Sequence, residues 1–327
     1  MNIDKLKALY EKNKLGQYDQ AVQFLNEMNG FLNQTYLIDL DDVTEEELNQ
    51  VVQYLVLTQQ NTIEHFIMLM RYFKANDLHE SFIHLTKYTG SYCVVSSILT
   101  KLAKVCDEKI TKTILERTEV PVLGTSFEEI TKFTERFMEL LESELDEGTL
   151  KKVLADNHHQ IPRESFLKEQ IYYEHAATLK DYLSDLHKRN VRELEMFYEQ
   201  NRVWYEQHIT PEVIEYVRSN QEVMSAVLEN DALYITKIPY DTMRYLQATD
   251  QYDQAYYLCH CPFARESLKL KNVNISKNWC YCSGGFTKYP FDVLFNRDLK
   301  VELLASALNL DGSCRFKIDL TGIDYKK

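Results

Sequence analysis

Five of the chain's seven cysteines fall between residues 259 and 314: Cys259, Cys261, Cys280, Cys282 and Cys314. Four of them form the pattern C-x-C-x18-C-x-C, carried by "LCHCPF" (Leu258 to Phe263) and "WCYCSGGF" (Trp279 to Phe286). Thiols at this density suit a soft metal ion, a small-molecule pocket or redox and nucleophilic chemistry. Buried core is the bland alternative, because cysteine is among the most buried residue types. Zinc holds thiolates at about 2.3 Å, which sets ligating sulfurs roughly 3.8 Å apart. In a strand, residues two apart share a face with Cα atoms about 6.6–6.8 Å apart. Bends at Pro262 and at Gly284–Gly285 would let such side chains converge. A disulfide within either pair would be strained, since Cα separations of bridged cysteines run roughly 4.4–6.8 Å.

The spacing therefore leads to an expectation of Cys259, Cys261, Cys280 and Cys282 as metal ligands. Zinc is the first cofactor expected and an iron–sulfur cluster the second. Cys314 is a fifth thiol, available for contact with a bound ligand. His260, between two cysteines of a strand, would point away from them. Arg265 and Lys288 are candidates to favour thiolates if they lie close. No P-loop, dinucleotide-binding glycine pattern or C-x-x-C-H haem site occurs, and no Ser-His-Asp set or paired acids can be assigned. His158-His159 reads as a solvated turn, and "MELLESELDEG" as a solvated acidic helix face.

The elements that must position these residues are mostly helices. Only 9 Gly and 6 Pro in 327 residues argue for long helices and few tight turns. Apolar residues three and four apart mark helices in "DKLKALYEKN", "YDQAVQFLNEMNGFL" and "TIEHFIMLMRYFKAND". Thr44 with Glu47 forms a capping-box start. Pro121 and Gly124 interrupt the pattern, so a boundary is placed near residue 120. Residues 1–120 are expected to be a helical bundle serving interaction, and 121–327 a helix-rich α+β cysteine-rich domain with a small antiparallel sheet. "LKEQIYYEHAATLKDYLSDLHKRNVRELEMFYEQNRVWYEQHI" reads as one long, almost uninterrupted helical stretch. Thr210 and Pro211 open a further helix. "ALYITKIP", "LKVELLASAL" and "CRFKIDL" read as strands, with an Asp-Gly turn in "NLDGS". In the last strand Cys314, Phe316, Ile318 and Leu320 share the inward face.

Composition narrows the partners. Hydrophobic residues make up 45% and charged residues 27%, the balance of a soluble globular protein. The net charge is −13, but residues 259–327 hold 11 basic and 7 acidic side chains and carry +4, leaving −17 on the rest. Such an acidic body repels phosphate backbones, which argues against nucleic acid and leaves a protein partner for the acidic helical domain. The charged N-terminus lacks the apolar core of a signal peptide, and no apolar run approaches a membrane span. An odd number of cysteines, two of them standing alone (Cys93 and Cys106), argues against a disulfide framework and for a reducing cytoplasm.

The run "CHCPFARES…KNWCYCSGGFTKYPFDVLF…KVELLASAL…DGSCRF" resembles an uncharacterised cysteine-rich family of anaerobic bacteria and archaea. The resemblance covers roughly residues 125–320 and is specific from Cys259 onward. Its closing hairpin also resembles L-2-amino-thiazoline-4-carboxylic acid hydrolase and vinyl-reductase-type ligand-binding domains. These likenesses imply an α+β domain that binds a small molecule or a metal. Relatives tend to carry further cysteines near the segment matching "LADNHHQIPRESF". None occurs here, so His158 and His159 either take that role or the site has been lost. The function expected is metal or small-molecule binding through the thiol cluster. A hydrolase acting on a small sulfur- or nitrogen-containing ring is the second reading, with Cys314 and Cys282 as first suspects, and a structural adaptor is the third.

Overall fold

The computed structural model describes residues 1–90, 92–270 and 272–327. They form a mainly helical protein with a small antiparallel sheet toward the C-terminus. The chain divides into two compact units, Met1–Tyr92 with Pro121–Ser126, and Cys93–Val120 with Phe127–Lys327. This division differs from a single boundary near residue 120. The two helices before that point bury Val94, Ile98, Leu102 and Ile114 in the same core as Phe137, Trp279 and Cys282, so burial assigns them to the second unit.

The first unit contains α1 (Ile3–Lys12), α2 (Tyr18–Tyr36), α3 (Glu45–Leu57), α4 (Ile63–Ala75) and α5 (His79–Thr89). In α2, Ala21, Phe24, Leu25, Met28 and Leu32 are buried, the stripe expected of an amphipathic helix. The capping box at Thr44 and Glu47 starts α3, satisfying backbone donors that the first turn leaves without partners. Tyr72 of α4, wholly buried, receives a hydrogen bond from the Asn2 backbone N–H at 3.1 Å and donates to Asp41. Asp41 also pairs with the terminal amine at 3.1 Å. Gly124 has a φ of +94°, and a Cβ there would stand 2.8 Å from Val56, so glycine is required on both counts.

The second unit begins with α6 (Val94–Val105), α7 (Glu108–Arg117), α8 (Phe127–Glu144) and α9 (Glu147–Leu154). The long helical stretch expected after residue 167 is broken into α10 (Leu167–His175) and α11 (Leu179–Glu199). The break has a local cause in a second capping box, Thr178 with Asp181, that starts α11. Lys326 Nζ then donates to the carbonyls of Tyr173, Glu174 and Ala176 at 2.7–3.2 Å, closing the end of α10. After α11 comes a short hairpin, β1 (Val203–Trp204) and β2 (Gln207–His208). α12 (Pro211–Arg218) follows, with Thr210 as its cap and Pro211 at its first position, as the sequence indicates.

The main sheet holds β3 (Val227–Glu229), β4 (Ala232–Thr236), β5 (Lys300–Ala305) and β6 (Arg315–Asp319) in the order β3-β4-β6-β5, all antiparallel. Phe316 and Ile318 of β6 and Leu320 beyond it are buried, the alternation read from the sequence. The connection between β5 and β6 is not a tight Asp-Gly turn. Ser306 caps a 3-10 turn at Ala307–Asn309, and Asp311 accepts from the Ser306 backbone N–H at 3.0 Å. Between β4 and β5 lie α13 (Thr242–Gln247), α14 (Gln251–Leu258) and α15 (Tyr281–Phe295). α15 lies against the sheet so closely that a Cβ on Gly284 would meet Phe316 and Val301 at 3.3 Å.

Candidate functional site

Neither Cys-x-Cys pair lies in a strand. Cys259 is the C-terminal cap of α14, and Cys261 follows in a turn where its carbonyl accepts from the N–H groups of Ala264 (3.1 Å) and Arg265 (2.9 Å). Pro262 favours that turn because it cannot extend the helix. Cys280 ends the 3-10 turn Lys277–Cys280, and Cys282 is the second residue of α15. Side chains two apart in a helix diverge by roughly 200°, since each residue rotates about 100°. The pair Cys280 and Cys282 therefore spreads across two faces. Gly284 and Gly285 are not bends after the thiols; both are helical, and they let α15 approach the sheet and the α9 exit.

The turn bearing Cys280 is held by the acidic helix α8. Glu135 accepts from the Asn274 N–H at 2.6 Å, and Glu142 accepts from Asn278 Nδ2 at 2.7 Å and from the Ser276 hydroxyl. Glu142, in the stretch read as a solvated face, thus holds this turn, as does Glu135 just before that stretch. Trp279, 1% exposed, packs edge-on to Phe137 and Phe263 with centroids 6.5 and 5.3 Å away. Its indole N–H donates to Cys261 Sγ at 3.2 Å.

The sulfurs of four cysteines sit in one electrostatic neighbourhood. Burial pushes the Cys280 thiol well above the ordinary range, and Cys314, Cys259 and Cys261 add to it. Burial likewise raises Cys259, and the neighbouring thiols of Cys261 and Cys314 add to it. Each of these four sulfurs also meets a hydrogen-bonding group. Cys259 is faced by the Cys261 backbone N–H, Cys261 by Trp279 and by the N–H groups of Phe263 and Ala264, and Cys314 by the Ala307 N–H. Cys280 Sγ lies 3.1 Å from the Ser306 hydroxyl. Cys282 is raised by burial and by the neighbouring Cys261 thiol, against the pull of Lys237. All seven cysteines are free thiols. Among the described residues, no group of three or more His, Cys, Asp or Glu side chains is placed to hold a metal ion.

Two residues beside the thiols escaped sequence reasoning. Lys237 extends the ladder past β4, its N–H donating to the Cys314 carbonyl at 2.9 Å. That register puts both side chains on one face. Its Nζ donates to Ser283 Oγ at 3.0 Å and stands 5.2 Å from the Phe286 ring centroid. Glu206, in the turn between β1 and β2, lies 3.5 Å from His260 Nδ1. Burial alone would raise Glu206, but His260, Lys237 and Arg265 hold it below the usual carboxylate range. Its only sequence signal was a charged residue inside a tract read as helix.

Other expected neighbours fall elsewhere. Lys288 pairs with Asp292 at 2.5 Å and Asp298 at 2.6 Å, a buried ion cluster in which burial pushes the Asp292 carboxyl up to about 6 against the pull of Lys288. Arg265 does lie beside the thiols, lowering the Cys259 thiol against its burial. His260 is engaged on both ring nitrogens, Nε2 lying 2.7 Å from the Ile238 carbonyl and Nδ1 3.5 Å from Glu206. His158 is not solvated: it is 1% exposed, 3.1 Å from Ser97 Oγ and 2.8 Å from the Val153 carbonyl.

Residues 237–323, which hold Lys237 and all five clustered cysteines, match a family of unknown function, DUF6144. No curated protein and no solved structure matches the chain. Among the described residues, no helix is long and apolar enough to cross a membrane.

Proposed function

We propose that the second unit binds a soft divalent metal ion through the thiolates of Cys259, Cys261, Cys280 and Cys314. Zinc is the first candidate for that ion. The observation that carries this reading is the pair of hydrogen bonds that two of these sulfurs make between segments, Cys261 with the Trp279 indole N–H at 3.2 Å and Cys280 with the Ser306 hydroxyl at 3.1 Å. A thioether or a packed thiol needs no such donors, whereas a thiolate gains charge-assisted hydrogen bonds from them. Binding would displace the thiol protons that burial otherwise retains, and the side chains would draw together from their present positions. The four cysteines come from the end of α14 and the turn after it, the 3-10 turn before α15 and the β5–β6 connection. Seven free thiols suit a reducing compartment. The likeness of the closing hairpin to small-molecule-binding domains is compatible with a ligand approaching from the side of Cys282 and Lys237.

Anaerobic titration of the full chain with Co2+ tests this. One ion per chain with thiolate charge-transfer absorption is expected. Serine at Cys259, Cys261, Cys280 or Cys314 should weaken binding on the order of a hundredfold or more, whereas Cys282→Ser should leave it within a few fold. A wild-type chain that takes up no Co2+, or a Cys282→Ser variant as weak as Cys280→Ser, would overturn the assignment.

A further inference from the structure

Beside the thiols, the second unit gathers polar and aromatic side chains from four separate segments. Lys237 follows β4, Glu206 sits in the β1–β2 turn, Ser283 and Phe286 lie on α15, and His159 follows α9. Among the described residues, the Lys237 ammonium has one hydrogen-bonding partner, Ser283 Oγ at 3.0 Å, and stands in no ion pair. An ammonium carries three donors, so two remain for solvent or a ligand, and the Ser283 hydroxyl keeps its own proton to donate. Glu206 is 27% exposed and contacts His260 Nδ1 at 3.5 Å, which leaves most of its acceptor sites open. Lys237 and Glu206 feel each other electrostatically without meeting. Phe286, 38% exposed, has the Lys237 ammonium 5.2 Å from its ring centroid and the His159 ring edge-on at 5.3 Å. Burial, with Lys237 adding, pushes the His159 imidazole down to about 4 although the residue is exposed, as befits a ring in a recess open to solvent. The two rings thus form an uncharged wall beside a separated cation and anion.

We propose that this recess binds a zwitterionic α-amino acid with an apolar side chain. Its carboxylate pairs with Lys237 Nζ and accepts from the Ser283 hydroxyl, its ammonium donates to Glu206, and its side chain rests against Phe286 and His159. Charge complementarity selects the class. A simple anion such as phosphate would meet Lys237 but be repelled by Glu206, and a simple cation would meet the reverse. A ligand carrying both charges close together answers both. An apolar side chain suits two neutral rings, which offer no partner to a further charge. None of these residues belongs to the thiol quartet, so the inference stands whether or not a metal binds there.

Isothermal titration calorimetry of the full, metal-free chain with L-phenylalanine tests this, alongside 3-phenylpropionate, which lacks the ammonium, and phenethylamine, which lacks the carboxylate. Phenylalanine should bind at one molecule per chain, and each analogue should bind about tenfold or more weakly, the loss of one charge-assisted contact. Lys237→Met should lower phenylalanine to the level of phenethylamine and leave phenethylamine itself unchanged. Glu206→Gln should do the converse, lowering phenylalanine to the level of 3-phenylpropionate. Phe286→Ala, at an exposed position, should weaken all three ligands together. A wild-type chain that binds no phenylalanine would overturn the inference. So would either analogue binding as tightly as phenylalanine, or charge variants that weaken the three ligands equally. The analogue series on the unaltered chain decides the matter even where a variant fails to fold.

Discussion

Cys280 and Cys282 are chemically identical and two positions apart, yet they meet different neighbours. Cys280 faces Ser306 and the other thiols, and Cys282 faces Cys261 and Lys237. The glycines that follow show how closely this region is packed. A Cβ on Gly285 would lie 2.3 Å from the Asp156 carbonyl oxygen and 2.4 Å from its nitrogen. Alanine normally favours a helix over glycine by about 1 kcal/mol. Here the obstacle is backbone, which cannot rotate away as a side chain can. Gly285→Ala should therefore destabilise the second unit by a net of about 2–3 kcal/mol, seen as a lower urea midpoint. An unchanged midpoint would show that the Ala155–Asp156 segment yields freely.

At the scale of elements, caps decide where helices begin and charges decide how firmly. Glu45, in the first turn of α3, lies 3.4 Å from His84 Nδ1 and 3.6 Å from Lys87 Nζ. The His84 interaction first, with Lys87 adding to it, holds its carboxyl down at about 2. A carboxyl lowered on folding contributes stability that is complete above its ordinary value of 4.5 and is lost as pH falls toward 2. Because the Glu45 side chain is 59% exposed, solvent screening reduces the contribution to about 1 kcal/mol. Glu45→Gln should accordingly flatten the loss of first-unit stability between pH 5 and 2 by about 1 kcal/mol, measured by chemical denaturation across that range. An identical pH slope in the variant would remove Glu45 from the account. The Thr44–Glu47 cap and the Thr210–Pro211 start were legible because capping is local chemistry. The α10–α11 break had its signal too, Thr178 with Asp181, but the apolar periodicity on both sides masked it. The end of α10 was not readable locally, because Lys326, 150 residues away, supplies the donors.

For the molecule as a whole, the chain divides into two compact units, and the clustered thiols lie in the second. A metal ion at the thiol quartet should stabilise only the second. With free ion at a hundred times its dissociation constant, the gain is about 2.7 kcal/mol. Hydrogen exchange with and without Cd2+ should show added protection around α14, α15 and the β5–β6 connection and none in α1–α5. Protection spread equally over both units would contradict a binding site confined to the second. The net charge of −13 is likewise a property of the whole and is unevenly spread, residues 259–327 carrying +4. By itself, the sequence determined the helical character, the β6 alternation and the concentration of thiols near the C-terminus, all of which follow from short-range periodicity and composition. Only the tertiary structure decided which thiols share neighbours and which charges attend them. A strand would have kept Cys280 and Cys282 on one face, but a helix turns them apart by roughly 200°. The pairing of Lys237 with Cys314 depends on sheet register between distant segments, which no local pattern encodes.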